Sequence, residues 1–319
     1  MLITILFLLL GFGILIFGAE FLVRGSASLA AKMGVSPLVT GLTVVAFGTS
    51  APELVVNIYA AIRGTAEIAI GNIVGSNILN ILFILGIAAI INPIKIKKST
   101  VYKEIPFALL AAALVFVMGN DIFFDKYDFN AITRTDGIAL ISLFIIFMVY
   151  TFGLAKSEFA IEEIRIYSYR KSILLALAGL VGLFIGGKIL VDNAVILARL
   201  AGLSETLIGL TIVAIGTSLP ELATAVVATI HHHDDIVVGN VVGSNIFNIF
   251  WVLGLTSIIS PLSVNFLINI DILVCIFATI LLFLFTFIGC RRRLDRWQGI
   301  LFVLLYAVYL VYSIQQATS

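Results

Sequence analysis

Charged side chains are scarce in this sequence of 319 residues. Asp, Glu, Lys and Arg make up 12% of it, whereas about a quarter of a typical soluble domain is charged. Hydrophobic residues make up 61%, and the mean hydropathy is +1.18. This composition excludes an ordinary soluble domain. The net charge of +1 identifies no partner, and we expect no nucleic acid to bind.

Cysteine is rarer still, and the usual signatures of catalysis are missing. Cys275 and Cys290 lie in or at the edge of one apolar run, so they predict neither a disulfide framework nor a zinc site. Gly182 to Ile189 resembles a phosphate loop, but no Ser or Thr follows Lys188 and the stretch is part of an apolar run. Without a nucleophile–base set or a cofactor motif, we expect no enzyme and no cofactor.

Long apolar runs fill the chain, and each is close to the roughly 20 residues that span a membrane. The first run has no basic n-region and no cleavage site, so it is interpreted as a retained helix and not as a signal peptide. Ten spans are predicted, approximately Leu2–Val23, Val35–Ile62, Glu67–Ile91, Ile105–Met118, Gly137–Gly153, Ser172–Leu197, Leu203–Ile230, Ile236–Ser260, Leu267–Gly289 and Trp297–Ile314.

The second run is interrupted by a polar break. Gly41 to Asn57 reads GLTVVAFGTSAPELVVN, with Glu53 directly after Pro52. A carboxylate at membrane depth is unfavourable and is a functional-site hypothesis by default. Pro52 has no N–H for the carbonyl of Gly48, and irregular backbone within a membrane survives only where it lines a cavity. Free backbone oxygens beside an acid predict a cation site.

The same phrase returns 168 residues later, as GLTIVAIGTSLPELATA from Gly209 to Ala225. The correspondence runs without a gap from Gly34 to Pro93, with about half of the positions identical in the second copy. Five predicted spans separate equivalent points, and an odd number turns the second copy upside down. Inverted repeats are the architecture of many secondary transporters, whose site lies at the membrane midplane.

Each half also contains a second polar motif, GNIVGSNILN at Gly71 to Asn80 and GNVVGSNIFN at Gly239 to Asn248. Its polar positions recur every four residues, on one helix face. Inverted halves would bring these residues, the two acids and their flanking hydroxyls to one centre. The set is Glu53, Glu221, Thr49, Ser50, Thr217, Ser218, Ser76, Ser244, Asn80 and Asn248, with Asn72 and Asn240 on the same faces.

Such a set of oxygens, with neither histidine nor thiolate, suits a hard cation such as Ca²⁺, which takes about 6–8 oxygens. For Ser76 and Ser244, close helix packing through small residues is the alternative. Two carboxylates are balanced by one Ca²⁺ or by two Na⁺. An empty site would leave two buried negative charges uncompensated, so protons should compete for it. Such a site should change sides only when it is filled. This predicts exchange and not leak.

Loop charges predict the orientation. Of the 19 Lys and Arg residues, 14 fall on one side of the ten-span arrangement and at most 5 on the other. The basic side should be cytoplasmic. Both termini are therefore expected outside the cell membrane.

The paired GTS-x-PE and GN-x-x-GSN-x-x-N motifs resemble the alpha-repeats of the cation/calcium exchanger superfamily, in particular its prokaryotic sodium/calcium exchanger branch. The resemblance implies a ten-helix fold in which the long first and sixth helices slide across a core of helices two, three, seven and eight. It also implies Ca²⁺ export coupled to Na⁺ entry. The implied ion ligands are Ala46, Thr49, Ser50, Glu53, Ser76 and Asn80, and in the second half Ala214, Thr217, Ser218, Glu221, Ser244 and Asn248, the two alanines through their carbonyls.

Two departures bear on the coupling ion. Some archaeal and potassium-dependent relatives have aspartate where this chain has Asn248, which argues against K⁺ co-transport. The proton-coupled branch typically shows GN-x-x-E where this chain shows GTS-x-PE, which favours Na⁺. Ca²⁺/H⁺ exchange, K⁺-dependent Na⁺/Ca²⁺ exchange and, from a different class, a cation channel stay open as alternatives.

Several charged groups have simpler interpretations. Glu20 with Arg24, and Lys188 with Asp192, are i,i+4 pairs at equivalent positions of the two halves with their signs exchanged; they are interpreted as anchors of helix ends. His231 to His233 are interpreted as a solvated cytoplasmic turn and not as a metal site or a pH sensor.

The sequence thus predicts an all-α integral membrane protein of ten helices in two inverted five-helix repeats, residues 1–155 and 172–319, joined by a cytoplasmic linker at 156–171. It predicts an antiporter that exports Ca²⁺ in exchange for Na⁺ by alternating access. Membrane lipid is its expected surroundings, and a monomer is expected to suffice.

Overall fold

The computed structural model describes residues 2–63, 66–124, 126, 128–154, 166–201 and 214–318. In that part of the chain, eight helices are long and apolar enough to cross a membrane, and one bent pair forms a further candidate span. The prediction of an all-helical, multi-pass membrane protein is confirmed. The seventh predicted span, Leu203–Ile230, lies partly outside the described residues, as does most of the predicted linker at 156–171.

The helices are numbered in chain order. They are α1 (Leu2–Met33), α2 (Pro37–Thr49), α3 (Ala51–Arg63), α4 (Ala66–Ile78, continued by Leu79–Ile84 and Leu85–Ile91), α5 (Thr100–Met118), α6 (Asp121–Phe124), α7 (Arg134–Leu154), α8 (Tyr169–Leu200), α9 (Ala214–Thr217), α10 (Leu219–Ile230), α11 (Asp234–Ile259), α12 (Phe266–Phe285) and α13 (Arg296–Thr318). Two antiparallel strand pairs join the connections, β1 (Ile94–Lys95) with β4 (Arg293–Leu294) and β2 (Ala131–Ile132) with β3 (Leu262–Ser263).

Helices α4 and α11 lie inside the bundle, whereas α1, α7, α8 and α13 expose most of their apolar surface. Both inner helices contain a π-helical segment, Leu79–Ile84 in α4 and Phe247–Leu253 in α11. π-Helical segments are rare in proteins, and those that occur often lie at functional sites. The GN-x-x-GSN-x-x-N motifs end in these segments, so the polar motifs occupy the most enclosed part of the protein.

A glycine contact brings the first broken helix against α11. A Cβ added at Gly41 would lie 3.1 Å from Cα of Gly239, and one added at Gly239 would lie 2.8 Å from the carbonyl oxygen of Leu38. The two backbones can therefore approach only without side chains at these positions. This crossing places the polar break of α2 beside the polar face of α11.

The predicted end of the first helix at Val23 is wrong, because α1 continues to Met33. Two of its polar residues beyond Val23 have side-chain partners. Arg24 forms an ion pair with Glu20, and the buried hydroxyls of Ser28 and Ser172 lie 2.9 Å apart. A hydropathy pattern cannot show these contacts, and the predicted helix therefore ends just before the first basic residue, Arg24.

The turn after α10 is not simply solvated as predicted. Nε2 of His231 lies 2.8 Å from Oε2 of Glu20 on α1. Nδ1 of His232 lies 3.3 Å from Nδ2 of Asn92. The predicted i,i+4 pair of Glu20 and Arg24 therefore has a third member, which joins α1 to the end of α10.

Candidate cation-binding site

The two acids sit at equivalent helix breaks. Helices α2 and α3 meet at an angle of 45°, with Ser50 between them and Glu53 in the first turn of α3. In the second half, Ser218 separates α9 from α10, and Glu221 lies in the first turn of α10. Proline suits the first turn of a helix, where its missing N–H has no acceptor. Both glutamates are 0% exposed.

Each acid is contacted by one serine of its own sequence half and one of the other half. The contacts are Ser76 Oγ to Glu53 Oε1 (3.5 Å), Ser218 Oγ to Glu53 Oε1 (3.2 Å), Ser244 Oγ to Glu221 Oε1 (3.4 Å) and Ser50 Oγ to Glu221 Oε1 (3.3 Å). In addition, the hydroxyl oxygens of Ser218 and Ser76 lie 3.1 Å apart. The serines therefore link the two breaks into one buried cluster.

The threonines beside the breaks also form hydrogen bonds with the opposite half. Thr49 donates to Oδ1 of Asn240 at 3.1 Å, and Thr217 donates to Oδ1 of Asn72 at 3.4 Å. The amide of Asn240 donates in turn to the carbonyl oxygen of Glu221 at 3.5 Å. Adding 168 to a residue number, or subtracting it, converts the first threonine contact into the second.

Four buried oxygens of the predicted ligands have no hydrogen-bond partner within the described chain. They are Oε2 of Glu53, Oε2 of Glu221, Oδ1 of Asn80 and Oδ1 of Asn248. Buried polar atoms in native proteins are almost always paired, and each exception needs an explanation. All four are acceptors of the kind that hard cations bind. A dehydrated cation would supply the missing partner.

The structure brings most of the predicted ligands together, but the backbone carbonyls of the two predicted alanine ligands differ in the hydrogen bonds that they accept. The carbonyl oxygen of Ala46 already accepts the N–H of Ser50 at 3.0 Å and the hydroxyl of Thr49 at 3.4 Å. At the equivalent place in the second half, Ser218 N–H donates to Ile215 instead of Ala214. The carbonyl of Ala46 is therefore engaged by the chain itself in this conformation.

Comparison with known proteins identifies the family. The family model described as "Sodium/calcium exchanger protein" matches residues 3–153 and 171–315. The chain belongs to the sodium/calcium exchanger family. It is 32% identical to the sodium/calcium exchanger MaX1 of Methanosarcina acetivorans, over 97% of this chain and 98% of the relative. It is 36% identical to the membrane protein MJ0091 of Methanocaldococcus jannaschii, over 95% of each chain.

Solved structures of the sodium-calcium exchanger NCX_Mj have the same fold as this family member. The form soaked with 10 mM Na⁺ and no Ca²⁺ superposes with a TM-score of 0.85 at 35% identity, covering 97% of this chain and 98% of that one. The form soaked without either ion gives a TM-score of 0.86. The relatives are exchangers and not enzymes, which confirms that expectation.

A cavity of about 210 Å³ lies beside the site of this exchanger. Pro52, Pro220 and Thr217 line it from the two breaks, and Lys188 and Asp192 line it from α8. Their interpretation as an i,i+4 anchor of the helix end stays a prediction. These two charges flank an approach to the site.

Sequence reasoning missed three asparagines of the exchanger's site. Asn57 donates to the carbonyl oxygen of Glu53 at 2.7 Å, and Asn77 and Asn245 contact the motif asparagines of the opposite half. All three are buried. A polar amide within an apolar membrane run was the available signal. Asn77 and Asn245 lie off the face that carries the serines, whereas Asn57 follows Glu53 by four residues and shares its helix face, so the helical period could have found it.

Proposed function

We propose that this protein is a secondary active antiporter that exports Ca²⁺ in exchange for Na⁺ by alternating access. The ions would bind mid-membrane between Glu53 and Glu221. The observation that carries the proposal is the shared cluster, in which each buried acid is contacted by serines of both halves and keeps one carboxylate oxygen without a partner in the described chain. Membership of the family supports Na⁺ and Ca²⁺ as the transported ions.

The proposed ligands extend beyond the acids. Neutral oxygens from hydroxyls, amides and carbonyls would complete the coordination that two carboxylates begin, since Ca²⁺ takes about 6–8 oxygens. Two negative charges match one Ca²⁺ or two Na⁺, so either load leaves the buried site neutral. The proposed set is Glu53, Glu221, Thr49, Thr217, Ser50, Ser218, Ser76, Ser244, Asn80 and Asn248, with the carbonyls of Ala46 and Ala214.

We further propose ten spans in two inverted repeats, residues 1–155 and 172–319, joined by a linker at 156–171. Residues that are 168 positions apart make equivalent contacts in the site, which supports this symmetry. For instance, Asn77 donates to the carbonyl oxygen of Asn245 at 3.2 Å, and Asn245 donates to that of Asn77 at 3.2 Å. The basic side would face the cytoplasm of a cell membrane, with both termini outside and a monomer sufficient for transport.

The test is Ca²⁺ uptake into proteoliposomes driven by a Na⁺ gradient while the pH gradient is collapsed. Glu53→Gln and Glu221→Gln should each abolish this flux while the protein still folds. Glu104→Gln is the matched control, because Glu104 is also a membrane carboxylate with 0% exposure but contacts Tyr150, at 2.6 Å, and not the site. Wild-type flux in either site variant would refute the assignment.

The same vesicles separate the alternatives. Uptake that requires a pH gradient, and not a Na⁺ gradient, would indicate Ca²⁺/H⁺ exchange. Dependence on K⁺ would indicate K⁺-dependent Na⁺/Ca²⁺ exchange. Conductance in planar bilayers without counter-transport would indicate a channel.

A further inference from the structure

Two asparagines at the centre of the bundle have no part in the ligand set proposed above. Asn77 on α4 and Asn245 on α11 are 1% and 3% exposed. They are the final residues of the two GSN triplets, one position after the serines that contact the acids. Close packing alone would not require an amide here, because an apolar side chain of similar size would avoid burying polar atoms.

Both ends of the Asn77 and Asn245 amides have partners, and each amide reaches into the other half of the chain. Oδ1 of Asn245 accepts the amide N–H of Asn80 at 2.9 Å. Oδ1 of Asn77 accepts the amide N–H of Asn248 at 3.0 Å. Their own NH₂ groups donate to each other's backbone carbonyls, both at 3.2 Å.

These bonds decide which end of each recipient amide stays free. An asparagine amide has a carbonyl oxygen that accepts and an NH₂ group of similar size that only donates. With the NH₂ groups of Asn80 and Asn248 engaged, their Oδ1 atoms remain buried and without a partner in the described chain. Only the oxygen can bind a cation. The reversed amide would present hydrogens to the ion.

The two asparagines with free oxygens lie on the same helix faces as the serines that contact the acids. Asn80 follows Ser76 by four residues, which places both on one face of α4, and Ser76 contacts Glu53. Asn248 has the same relation to Ser244, which contacts Glu221. The two amides therefore belong to the faces that line the proposed ion site.

We propose that Asn77 and Asn245 are positioning residues that hold the amides of Asn248 and Asn80, respectively, with their carbonyl oxygens available to the transported cation. The inference rests on the proposed function. Because each positioning residue acts on a ligand of the other half, it also ties the two halves of the site together.

The test uses the symmetry of aspartate. A carboxylate has two equivalent oxygens and no NH₂ group, so it needs no orienting partner. Asn245→Ala should weaken the apparent affinity for Ca²⁺ in Na⁺-driven flux by roughly 10- to 100-fold, the usual effect of losing a residue that orients a metal ligand. Adding Asn80→Asp to Asn245→Ala should restore the affinity to within a few-fold of wild type.

The rescue should follow the hydrogen bonds. Asn80→Asp should rescue Asn245→Ala but not Asn77→Ala, and Asn248→Asp should rescue Asn77→Ala but not Asn245→Ala. A general gain from added negative charge would rescue both variants equally, and this result would overturn the inference. Unchanged affinity in Asn245→Ala, or no rescue by either aspartate, would overturn it as well.

Asn245→Ser serves if the alanine variant does not fold, because its hydroxyl keeps a donor but the shorter side chain leaves the amide of Asn80 unheld. Ca²⁺-dependent stabilisation of the purified protein against heat gives a second readout of affinity. Wild-type protein without Na⁺-driven Ca²⁺ flux would refute the proposed function. Normal wild-type flux with the wrong rescue pattern would refute only this inference.

Discussion

At the scale of single residues, the serines of the breaks should matter to both halves of the site. Ser218 precedes Glu221 by three residues, yet its hydroxyl donates to Glu53. Ser218→Ala should weaken Ca²⁺ affinity roughly 10- to 100-fold, because it removes a proposed ligand oxygen together with a hydroxyl that orients the carboxylate of Glu53. Ser50→Ala should have a similar effect, since it makes the equivalent bond to Glu221.

The measurement for the serines is the Ca²⁺ dependence of Na⁺-driven flux. Ser142→Ala is the matched control, because the exposed hydroxyl of Ser142 donates to the carbonyl of Ile138, one turn earlier in the same helix. An affinity loss confined to Ser218→Ala would contradict the equivalence of the two halves.

Residue identities at the site were predictable, but their contacts were not. The duplicated motif shows that Glu53 and Glu221 occupy equivalent positions. A carboxylate within an apolar membrane run is unfavourable, so both are candidates for a functional role. Equivalence does not say which groups touch. That Ser50 contacts Glu221, and not its neighbour Glu53, depends on how α2 crosses α11 at Gly41 and Gly239 and on the packing of α10, which carries Glu221, against α11. This crossing is a property of the packed helices and leaves no periodic signal.

At the scale of elements, the proline breaks should be needed for transport more than for stability. Pro52→Ala would supply an N–H to the preceding turn and allow α2 to continue into α3. The bend of 45° would then relax and move Ser50 and Glu53 out of register with the other half. We expect flux to fall at least about tenfold while stability changes little, since proline in a first turn is only slightly favoured.

Pro106→Ala is the control for the break. Pro106 lies within α5, where the π-helical segment Thr100–Glu104 passes into Ile105–Met118, and it is remote in sequence from both acids. Flux is compared at equal protein in proteoliposomes, and stability is compared by thermal unfolding in detergent. Normal flux in Pro52→Ala would mean that the break is not what holds the site.

Helix breaks were easier to predict than helix ends. The break at Pro52 follows from covalent chemistry, because proline lacks a donor whatever surrounds it. The end of α1 does not, because the buried Ser28 stays in the helix through a partner on another part of the chain, Ser172 on α8. Similarly, α5 begins at Thr100 and not at the predicted Ile105. Tertiary contacts decide these boundaries.

At the scale of the whole molecule, α1 and α8 should behave as one body. Their backbones meet along glycines: a Cβ added at Gly179 would lie 2.7 Å from Cα of Leu22 and 2.8 Å from the carbonyl oxygen of Gly18. Gly179→Ala must therefore push the helices apart. It should lower the free energy of unfolding by about 1–3 kcal/mol.

The thermal unfolding midpoint in detergent measures this effect. Gly13→Ala is the matched control on α1, because a Cβ at Gly13 would meet no described atom within 4 Å. An equal midpoint in the two variants would show that the glycine contact does not hold α1 to α8.

The contact of α1 with the end of α10 bears on the rate of exchange. If α1 slides past the core during alternating access, as the resemblance to the family implies, the bond between His231 and Glu20, with Nε2 2.8 Å from Oε2, must break in each cycle. The two side chains are 33% and 21% exposed, and such partly exposed pairs contribute about 0.2–1 kcal/mol. His231→Ala should therefore raise the maximal exchange rate by up to about fivefold and leave Ca²⁺ affinity unchanged.

His232→Ala is the control, since the exposed His232 contacts Asn92 and not α1. An unchanged maximal rate would show that this bond persists throughout the cycle, and α1 would then move together with α10 and not past it.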